Sequence, residues 1–382
     1  MRILYITNTT SGGGAPASLY NLVYGLHDRH EIAVVMPDSH GPLYSKLIEL
    51  GVKCYSSCGY RLDIWPHVYR PSKLVRRFIS LYKNRTSVPE HIEKIIKEFR
   101  PDIVHTNVGP LAVGYRAATR AGIPHVWHQR EFQTLDFRMK FFPSEKVFRR
   151  YLMSENNYNI AITEAVFRHW GLRDGVDKVI YNAVPQHVSS ERVPAHKPYF
   201  LYAARIEPSK DLMILLKAFH RYRNEGGKCE LYVAGRPCGF YAFRCKAFAF
   251  MHGLSGAVHF LGQRNDVPGL MAEASAFVMS SVCEGFGLTT AEAMLNRCVV
   301  IGRDTAGTKE QLDRGLRFVG REIGLRFTTS KQLTQCLHRV DEKSYKAAIE
   351  AMKQDAFKVV SENYTIERYA SQVEEFYKSI IH

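Results

Sequence analysis

The stretch EGFGLTTAEAM, residues 284–294, holds two carboxylates, Glu284 and Glu292, eight positions apart around a Gly-Phe-Gly turn. A helix predicted to begin near Leu288 would open with unpaired N–H groups and a positive dipole end, which favour an anion. Gly285 and Gly287 would let that backbone approach a ligand closely. If all eight steps were helical, the carboxylates would lie roughly 12 Å apart along the axis. That spacing suits a nucleotide-sugar, because its sugar and its ribose flank a diphosphate.

A structural role is the alternative for both carboxylates. Thr289 stands three residues before Glu292, which is the spacing of a capping box, so Glu292 could be a helix cap. Glu284 could be a solvated loop carboxylate. The segment alone leaves the ligand site and the cap equally open, and the rest of the chain favours the ligand site.

The composition is that of a globular protein with more than one domain. A chain of 382 residues predicts two or three domains, and 46% hydrophobic with 23% charged residues is ordinary for such proteins. No apolar run approaches the roughly 20 residues that span a bilayer. The opening MRILYITNTT is too short and polar for a secretory signal, so we expect a first strand there and a cytoplasmic location. The eight cysteines show no CxxC pair, which predicts scattered reduced thiols.

The net charge of +15 predicts an anionic partner. Nucleic acid, an acidic membrane surface and a phosphorylated substrate all satisfy it, and the charge alone does not choose among them.

Strand-like and helix-like segments alternate through the first half of the chain. Strands are predicted at residues 2–8, 31–37, 52–56, 102–107, 125–128, 158–163 and 178–184, and helices include 16–29 and 88–99. Alternation of this kind predicts parallel βαβ units and a doubly wound sheet.

The pattern restarts after a Pro- and Ser-rich break at residues 185–198. Strands are predicted at 199–206, 229–235, 258–262, 276–280 and 298–302, a helix capped by Ser209 at 209–225, and a helical tail from 344 that ends in 366–381. The predicted fold class is therefore α/β, with two Rossmann-like, doubly wound parallel-sheet domains facing across a cleft. Ligands of such sheets bind at the carboxyl ends of the strands.

Glu284 and Glu292 also match the E-x7-E motif of a known family. The chain resembles the retaining GT-B glycosyltransferases of family 4, the glycosyl transferases group 1 family, most strongly over residues 181–310. The resemblance implies that Glu284 contacts hydroxyls of the donor sugar and Glu292 the ribose. The sugar nucleotide would also contact Gly285, Phe286, Gly287 and Leu288. An acceptor-side domain at 1–187, onto which the C-terminal helix 363–382 packs back, and a donor-binding domain at 188–362 are implied as well.

The run ARIEPSKD, residues 204–211, resembles the family segment that supplies an Arg and a Lys to the donor diphosphate. Arg205 and Lys210 could neutralise a departing nucleoside diphosphate, whose charge grows in the transition state. Cations at such a corner are more often merely solvated, but their spacing from Glu284 favours the clamp.

Two further segments of the second half resemble donor-binding parts of the family. Gly235 ends the strand VAG, where family members bring the chain close to the sugar nucleotide. Leu261 and Gly262, in FLG, resemble the segment that lines the nucleobase. That contact is largely made by backbone, so the sequence does not identify the base.

In the first half, a glycine turn and one histidine carry the resemblance. Gly13 and Gly14 lie between the first strand and its helix, a loop that faces the diphosphate in the family. His128, at the carboxyl end of a strand, resembles the family's active-site histidine on the sugar-donor side. Acceptor contacts are predicted for Arg130, Glu131 and His105.

No metal ion and no cofactor are expected. His125 and His128 would point to opposite faces of a strand, and the sequence has no D-x-D motif. Retention of anomeric configuration is implied by the resemblance alone. A covalent route needs a carboxylate nucleophile near the anomeric carbon, and in the first half none is obvious near His128 except Glu131. We therefore favour front-face displacement, in which the leaving phosphate helps deprotonate the acceptor hydroxyl.

Two basic segments interleaved with aromatic residues, 61–85 and 137–151, raise the possibility of peripheral membrane binding. The alternative is that each forms a helix that buries its apolar face and solvates its charges. A membrane-associated enzyme would suit a glycan or lipid-linked acceptor in polysaccharide or cell-surface glycan biosynthesis.

The sequence therefore predicts a metal-independent glycosyltransferase that uses a nucleotide-sugar. Two alternatives stay open. One is a GT-B enzyme that is not a transferase, such as a nucleotide-sugar epimerase, and the other is a basic nucleic-acid-binding protein. No nucleic-acid partner is expected, because the sequence shows no pattern of a known nucleic-acid-binding fold.

Overall fold

A computed structural model describes residues 1–56, 59–65, 71–137, 139–184 and 197–381, and of residues 71–73 it describes the backbone only. The chain divides into two compact units. The N-terminal unit comprises Met1–Ala183 and Ile366–His382, and the C-terminal unit comprises Val184–Thr365. The predicted boundary between residues 187 and 188 lies outside the described residues.

The described part of the N-terminal unit contains a seven-stranded parallel sheet in the order β3-β2-β1-β4-β5-β6-β7. Its strands are β1 (Arg2–Ile6), β2 (Glu31–Met36), β3 (Lys53–Ser56), β4 (Ile103–Thr106), β5 (His125–Gln129), β6 (Asn157–Ala161) and β7 (Lys178–Val179). Its helices are α1 (Gly14–Leu26), α2 (Pro42–Glu49), α3 (Pro71–Lys83), α4 (Ser87–Phe99), α5 (Val113–Ala121), α6 (Glu145–Leu152) and α7 (Glu164–Trp170).

Helices cover both faces of this sheet, which explains why its central strands β1, β4 and β5 are buried almost throughout. In β1, alternate residues enter opposite cores: Tyr5 packs in one cluster and Leu4 in the other. The chain's last helix, α15 (Ile366–Ile381), joins the first of these cores through Tyr369 and Tyr377. It approaches α1 closely at Gly25, where an added Cβ would lie 2.7 Å from the Cβ of Ala370.

The C-terminal unit repeats the plan with a six-stranded parallel sheet in the order β10-β9-β8-β11-β12-β13. Its strands are β8 (Tyr199–Ala203), β9 (Glu230–Ala234), β10 (Val258–Gly262), β11 (Ala276–Met279), β12 (Val300–Arg303) and β13 (Leu325–Phe327). Its helices are α8 (Leu212–Asn224), α9 (Gly239–Met251), α10 (Val267–Glu273), α11 (Leu288–Leu295), α12 (Ala306–Val319), α13 (Ser330–Asp341) and α14 (Lys346–Asn363), with short 3-10 helices at Pro208–Lys210 and Lys343–Tyr345.

The predicted α/β class with two Rossmann-like parallel-sheet domains is confirmed. Two details differ from prediction. The strand β13 was not predicted, and the cap of α8 is Asp211 rather than Ser209. Residues Pro208–Lys210 form a separate 3-10 turn, and Asp211 then adopts φ 43°, a left-handed conformation that aspartate tolerates better than most residues. Its side chain accepts a hydrogen bond from the Ile214 N–H.

None of the helices in the described ranges combines the length and the hydropathy that crossing a membrane requires.

Candidate active site

The loop between β11 and α11 is built around the predicted glycine turn. Gly287 caps α11 with φ 85°, a conformation that favours glycine, and the helix begins at Leu288 as predicted. The Gln311 side chain donates hydrogen bonds to the carbonyls of Phe286 and Gly287. An added Cβ at Gly307 would lie 2.5 Å from the Gly285 carbonyl oxygen, so α12 packs directly on the turn. The turn is therefore held from behind by α12, while the Phe286 ring is buried.

Lys210 and Glu284, two predicted catalytic residues far apart in sequence, are in contact. The Lys210 Nζ lies 2.6 Å from the Glu284 Oε1, and both side chains are less than one fifth exposed. The Ser280 hydroxyl donates to the Lys210 carbonyl at 2.9 Å, which fixes the end of the 3-10 helix against the end of β11. The fold thus brings a cation and a carboxylate together at the carboxyl ends of the strands β8 and β11.

Two further arginines lie near the same edge of the sheet, Arg205 after β8 and Arg303 at the end of β12. The Arg205 guanidinium pairs with the Glu207 carboxylate at 2.9 Å and is exposed. Arg303, which was not among the predicted site residues, donates to Asp211 at 2.9 Å and to the Ser280 carbonyl at 3.2 Å. Ser280 therefore links Arg303 to Lys210, and the carboxyl end of the sheet carries cations from two segments of the chain, residues 204–211 and the end of β12.

Glu292 is not a helix cap. It is the fifth residue of α11, whose cap is Gly287, and α11 has no side-chain cap. The carboxyl group is half-buried, and burial raises its pKa. Within the described ranges no side chain or backbone N–H pairs with this carboxylate, so its oxygens are free to accept hydrogen bonds from a ligand.

Replacing Glu292 with glutamine tests the ligand role against the rejected cap. Because the carboxylate is partly desolvated and unpaired, its removal should leave the unfolding temperature unchanged or slightly higher. Affinity for a nucleoside diphosphate should fall about tenfold or more, because a charged acceptor of hydroxyl hydrogen bonds is lost. Calorimetry of nucleoside-diphosphate binding and thermal unfolding of the same samples measure the two effects. Destabilisation with unchanged affinity for the nucleoside diphosphate would contradict this assignment.

The remaining predicted residues of the C-terminal unit occupy two neighbouring strand ends. A Cβ at Gly235 would lie 1.8 Å from the Ala204 carbonyl oxygen, so glycine is required there by the adjacent strand. The Gly235 N–H donates to the Gly262 carbonyl at 2.7 Å. Gly262 has φ 71° and nothing within 4 Å of its missing side chain, and it ends β10 beside the half-buried Leu261. Their contact with a nucleobase stays a prediction.

Gly13 and Gly14 open the helix α1 of the N-terminal unit. Gly13 caps α1 with φ 140° and no side-chain cap, and both glycines are exposed. The first N–H groups of α1 therefore have no side-chain partner in the cap, and the predicted contact with phosphate stays a prediction.

His128 and His105 belong to one buried hydrogen-bond network. The His105 Nδ1 lies 2.5 Å from the Tyr377 hydroxyl, and the His105 Nε2 lies 3.2 Å from the His128 Nδ1. Arg130 can only donate, and its guanidinium lies 3.3 Å from the same His128 Nδ1. The His128 Nδ1 is therefore an acceptor, which places the proton of neutral His128 on Nε2. That Nε2 has no hydrogen-bond partner among the residues the structure describes.

Arg130 is 4% exposed and is the centre of this network rather than a surface group. It donates to the Asn107 side chain and carbonyl, to Ser18, to Asn182 and to the Tyr369 hydroxyl. Since these contacts occupy its donors, the geometry does not support the predicted acceptor contact. His105 is likewise fully buried. Glu131 is half-buried and accepts from the Gln133 side chain, so its predicted role stays open.

His125 and His128 have separate partners on the two sides of β5. His125 contacts Thr106 at 2.8 Å and Asn157 at 2.6 Å, whereas His128 contacts His105 and Arg130. Over the described ranges, no three His, Cys, Asp or Glu side chains are grouped as metal ligands.

The three buried histidines predict a loss of stability in mild acid. Burial lowers the pKa of His105 and His128, the charge of Arg130 lowers both further, and burial lowers the pKa of His125 to about 4. Below about pH 6.5, the ordinary histidine pKa, the unfolded chain therefore binds more protons than the folded one. The unfolding free energy should fall as the pH drops below this value, by up to about 1.4 kcal/mol per pH unit for each histidine.

Urea unfolding between about pH 7 and pH 5 measures this slope. In a His125→Gln variant this slope should decrease, by an amount that corresponds to up to one proton fewer bound on unfolding. A slope near zero in the unmodified protein would show that the histidines are not held neutral.

Sequence reasoning missed the residues that hold the site from a distance. Gln311 and Gly307 fix the glycine turn, Arg303 adds a cation, and Tyr377 contacts His105 from 272 positions away. Of the residues that contact Arg130, Asn182 lies within the range 181–310 that resembles the family most strongly.

Two family models match adjoining parts of the chain. Residues 12–187 match Glycosyltransferase Family 4, and residues 185–322 match Glycosyl transferases group 1. The first match covers most of the N-terminal unit, and the second covers the segments that contain Lys210, Glu284 and Glu292.

Two similar proteins share only low sequence identity with this chain. The lipopolysaccharide core biosynthesis mannosyltransferase LpcC of Rhizobium leguminosarum bv. viciae is 25% identical over 223 residues, which are 56% of this chain and 60% of that protein. A probable sucrose-phosphate synthase of Thermosipho melanesiensis is 21% identical over 176 residues, or 45% of this chain and 39% of that protein. The matched stretch thus spans less than two thirds of either relative.

The fold is shared over the whole chain with a solved structure. Anabaena HepE in complex with UDP superposes with a TM-score of 0.77 at 20% identity, covering 99% of this chain and 100% of that one. With both halves matched by the family models and the two-domain fold in common, the chain belongs to the GT-B glycosyltransferases of family 4, group 1.

Proposed function

We propose that this protein transfers a sugar from a nucleoside-diphosphate sugar to a glycan or lipid-linked acceptor, with retention of configuration and without a metal ion. The observation that carries the proposal is the contact of Lys210 with Glu284 beside the opening turn of α11, with the unpaired carboxylate of Glu292 in the same helix. A cation for phosphate and two carboxylates for hydroxyls are the groups that a nucleotide-sugar needs. The solved complexes of HepE with UDP and with UDP-glucose support a donor of this class.

In the reaction we propose, the bond between the anomeric carbon and the diphosphate oxygen breaks, and a bond from the acceptor hydroxyl oxygen to that carbon forms on the same face. The hydroxyl proton passes to the leaving phosphate oxygen. Lys210 and Arg205 stabilise the charge that develops on the diphosphate, and Glu284 orients the sugar through its hydroxyls. Because these cations can balance the diphosphate charge, no metal ion is needed.

His128 has a separate part in this proposal. Its neutral ring carries the proton on Nε2, the one ring atom without a partner in the network. We therefore assign it one hydrogen bond to a hydroxyl of the bound substrate. A role as general base at neutral pH does not suit it, because a protonated Nε2 cannot accept a proton.

The acceptor is proposed to be presented at a membrane surface on its cytoplasmic side. The name of LpcC, a lipopolysaccharide core mannosyltransferase, supports a lipid-linked glycan. The helix α3 supports membrane contact, because Val75, Phe78, Ile79 and Tyr82 are exposed on it. Arg76 and Lys83 on the same helix are exposed as well.

The second basic segment gives no such support. Phe141 and Phe148 are buried, and their rings pack on each other and on Trp170. Arg149 is held by the carbonyls of His169 and Trp170. The helix α6 therefore buries its apolar face in the domain, which is the alternative stated for this segment. Arg138, also in this segment, lies outside the described residues.

Thermal unfolding with nucleoside diphosphates tests the donor site. A ligand at a hundred times its Kd should stabilise the chain by about 2.7 kcal/mol, so the unfolding temperature should rise with UDP or a related diphosphate and not with the free nucleoside. Repeating the titration with EDTA tests whether binding requires magnesium; we expect the same stabilisation. Incubation with the stabilising nucleotide-sugar and NMR of the product's anomeric proton then tests retention. No stabilisation by any nucleoside diphosphate would overturn the proposal.

A further inference from the structure

The helix α9 exposes a continuous aromatic face. Phe240, Phe243, Phe250 and Met251 are 73%, 63%, 77% and 71% exposed, respectively. They recur at the spacing of one helical face, with Ala247 between them. The rings of Phe240 and Phe243 stack on each other with centroids 5.7 Å apart. We call these five residues the α9 face.

The opposite side of α9 already has a partner. Ala242, Cys245 and Ala249 are buried in the core of the C-terminal unit, and Tyr241 and Phe248 pack against it. The helix therefore has two apolar sides, of which only one contributes to the core. An exposed aromatic stripe of this size marks a contact surface rather than a requirement of the fold.

The charge around the α9 face is of one sign. Residues 231–263 contain Arg236, Arg244 and Lys246 and no aspartate or glutamate, and the following Arg264 is paired with Asp266. The neighbouring helix α8 contacts α9 through His220, whose ring lies 4.8 Å from that of His252. Lys217 and Arg221 are exposed on the same side of α8 as His220, and α8 has no acidic residue either.

We propose that the α9 face binds an anionic lipid bilayer, with the phenylalanine rings entering the interface and the basic residues contacting lipid phosphates. Aromatic side chains flanked by Lys and Arg are the combination that such an interface binds. A second copy of the chain fits less well, because a symmetric contact would bring two rows of uncompensated cations together. The inference does not depend on the proposed activity or on α3, which belongs to the other unit.

A tryptophan placed on the face tests insertion directly. Phe243→Trp should show a blue-shifted emission with vesicles of phosphatidylglycerol and phosphatidylcholine, and quenching when the acyl chains are brominated. The matched control is Phe318→Trp, on the exposed part of α12 in the same unit. Spectra of the unmodified protein are subtracted, because Trp65 lies next to α3. Equal responses of Phe243→Trp and Phe318→Trp would overturn the proposal.

Sedimentation with the same vesicles separates the two contributions. Arg244→Ser with Lys246→Ser should weaken binding about fivefold for each charge removed. Phe243→Ser with Phe250→Ser should weaken it at least tenfold, whatever the effect of substitutions on α3. UDP-dependent stabilisation should be unchanged in the α9 variants, which shows that they are folded and keeps this outcome apart from the donor site.

Light scattering of the lipid-free protein tests whether the α9 face binds a second copy of the chain instead. A monomer whose mass does not change with the α9 substitutions agrees with the proposal. A dimer that the phenylalanine substitutions dissociate, or binding to purely zwitterionic vesicles with equal affinity, would contradict it.

Discussion

Replacing Lys210 with alanine should lower kcat for sugar transfer by about a hundred- to a thousandfold, which is the loss typical of one preorganised charged donor at a reacting group. Lys210 is held at the end of its 3-10 helix and contacts Glu284 at 2.6 Å, so it needs no rearrangement of the chain to meet a phosphate. Exposed Arg205 is held less firmly, and Arg205→Ala should have the smaller effect. Steady-state kinetics with saturating nucleotide-sugar measure both.

Lys210 and Glu284 also stabilise each other, so activity and stability must be separated. Lys210→Ala leaves the Glu284 carboxylate partly buried and unpaired, which should cost about 1–3 kcal/mol of unfolding free energy. Adding Glu284→Ala removes the orphaned charge, so the double variant should regain stability while kcat stays at or below that of either single variant. Such a divergence would show that the pair acts on the reaction and not only on the fold.

Lys309→Ala is the matched control, because Lys309 is an exposed lysine of the same unit that pairs with Asp313 on the helix surface. It should retain full activity. Full activity of the Arg205→Ala, Lys210→Ala double variant would contradict the diphosphate clamp.

The sheet and the turn could be predicted because their signals are local. Apolar runs such as ILYI in β1 and AVVM in β2 are strands buried on both faces, and they were recognised within one or two residues of their bounds. The turn before α11 was predicted from its two glycines, and Gly287 does adopt a positive φ. The sequence does not predict the strand β13, because LRF is only three residues long and too short for a periodic pattern.

The supports of the site could not be predicted, because they are long-range. Gln311 lies 25 positions from Phe286, whose carbonyl accepts its hydrogen bond. The residues next to Gln311 in sequence look like those of any surface helix. The same holds for Arg130, whose predicted acceptor contact rests on its position just after His128 at the predicted edge of the cleft. Its burial depends on Asn107, Asn182 and Tyr369, which come from three other segments.

Arg130→Met should destabilise the N-terminal unit by about 3 kcal/mol or more, while retaining most of the side chain's apolar volume. The guanidinium is buried, and among the described residues its partners include no carboxylate, so its charge is stabilised only by neutral acceptors. Removing it leaves the side-chain and backbone carbonyl oxygens of Asn107 without their donor, and each buried orphan costs about 1–3 kcal/mol. The Asn182 side-chain oxygen still accepts from the Ser18 hydroxyl. The stability of Arg130→Lys should lie between that of the unmodified protein and that of Arg130→Met, because an ammonium group cannot reproduce the five donors of the guanidinium.

The same substitution should change the titration of the histidine network. The charge of Arg130 lowers the pKa of both His105 and His128, so its loss should raise both values, although burial still holds them below the ordinary range. Protonation in the folded state would then begin at a higher pH. Histidine ring NMR against pH measures this shift, and urea unfolding measures the stability. Arg168→Met, on the exposed surface of α7, is the control. If Arg130→Met were as stable as Arg168→Met and the histidine signals titrated as before, Arg130 would not be the centre of the network, and the protonated Nε2 of His128 would need another explanation.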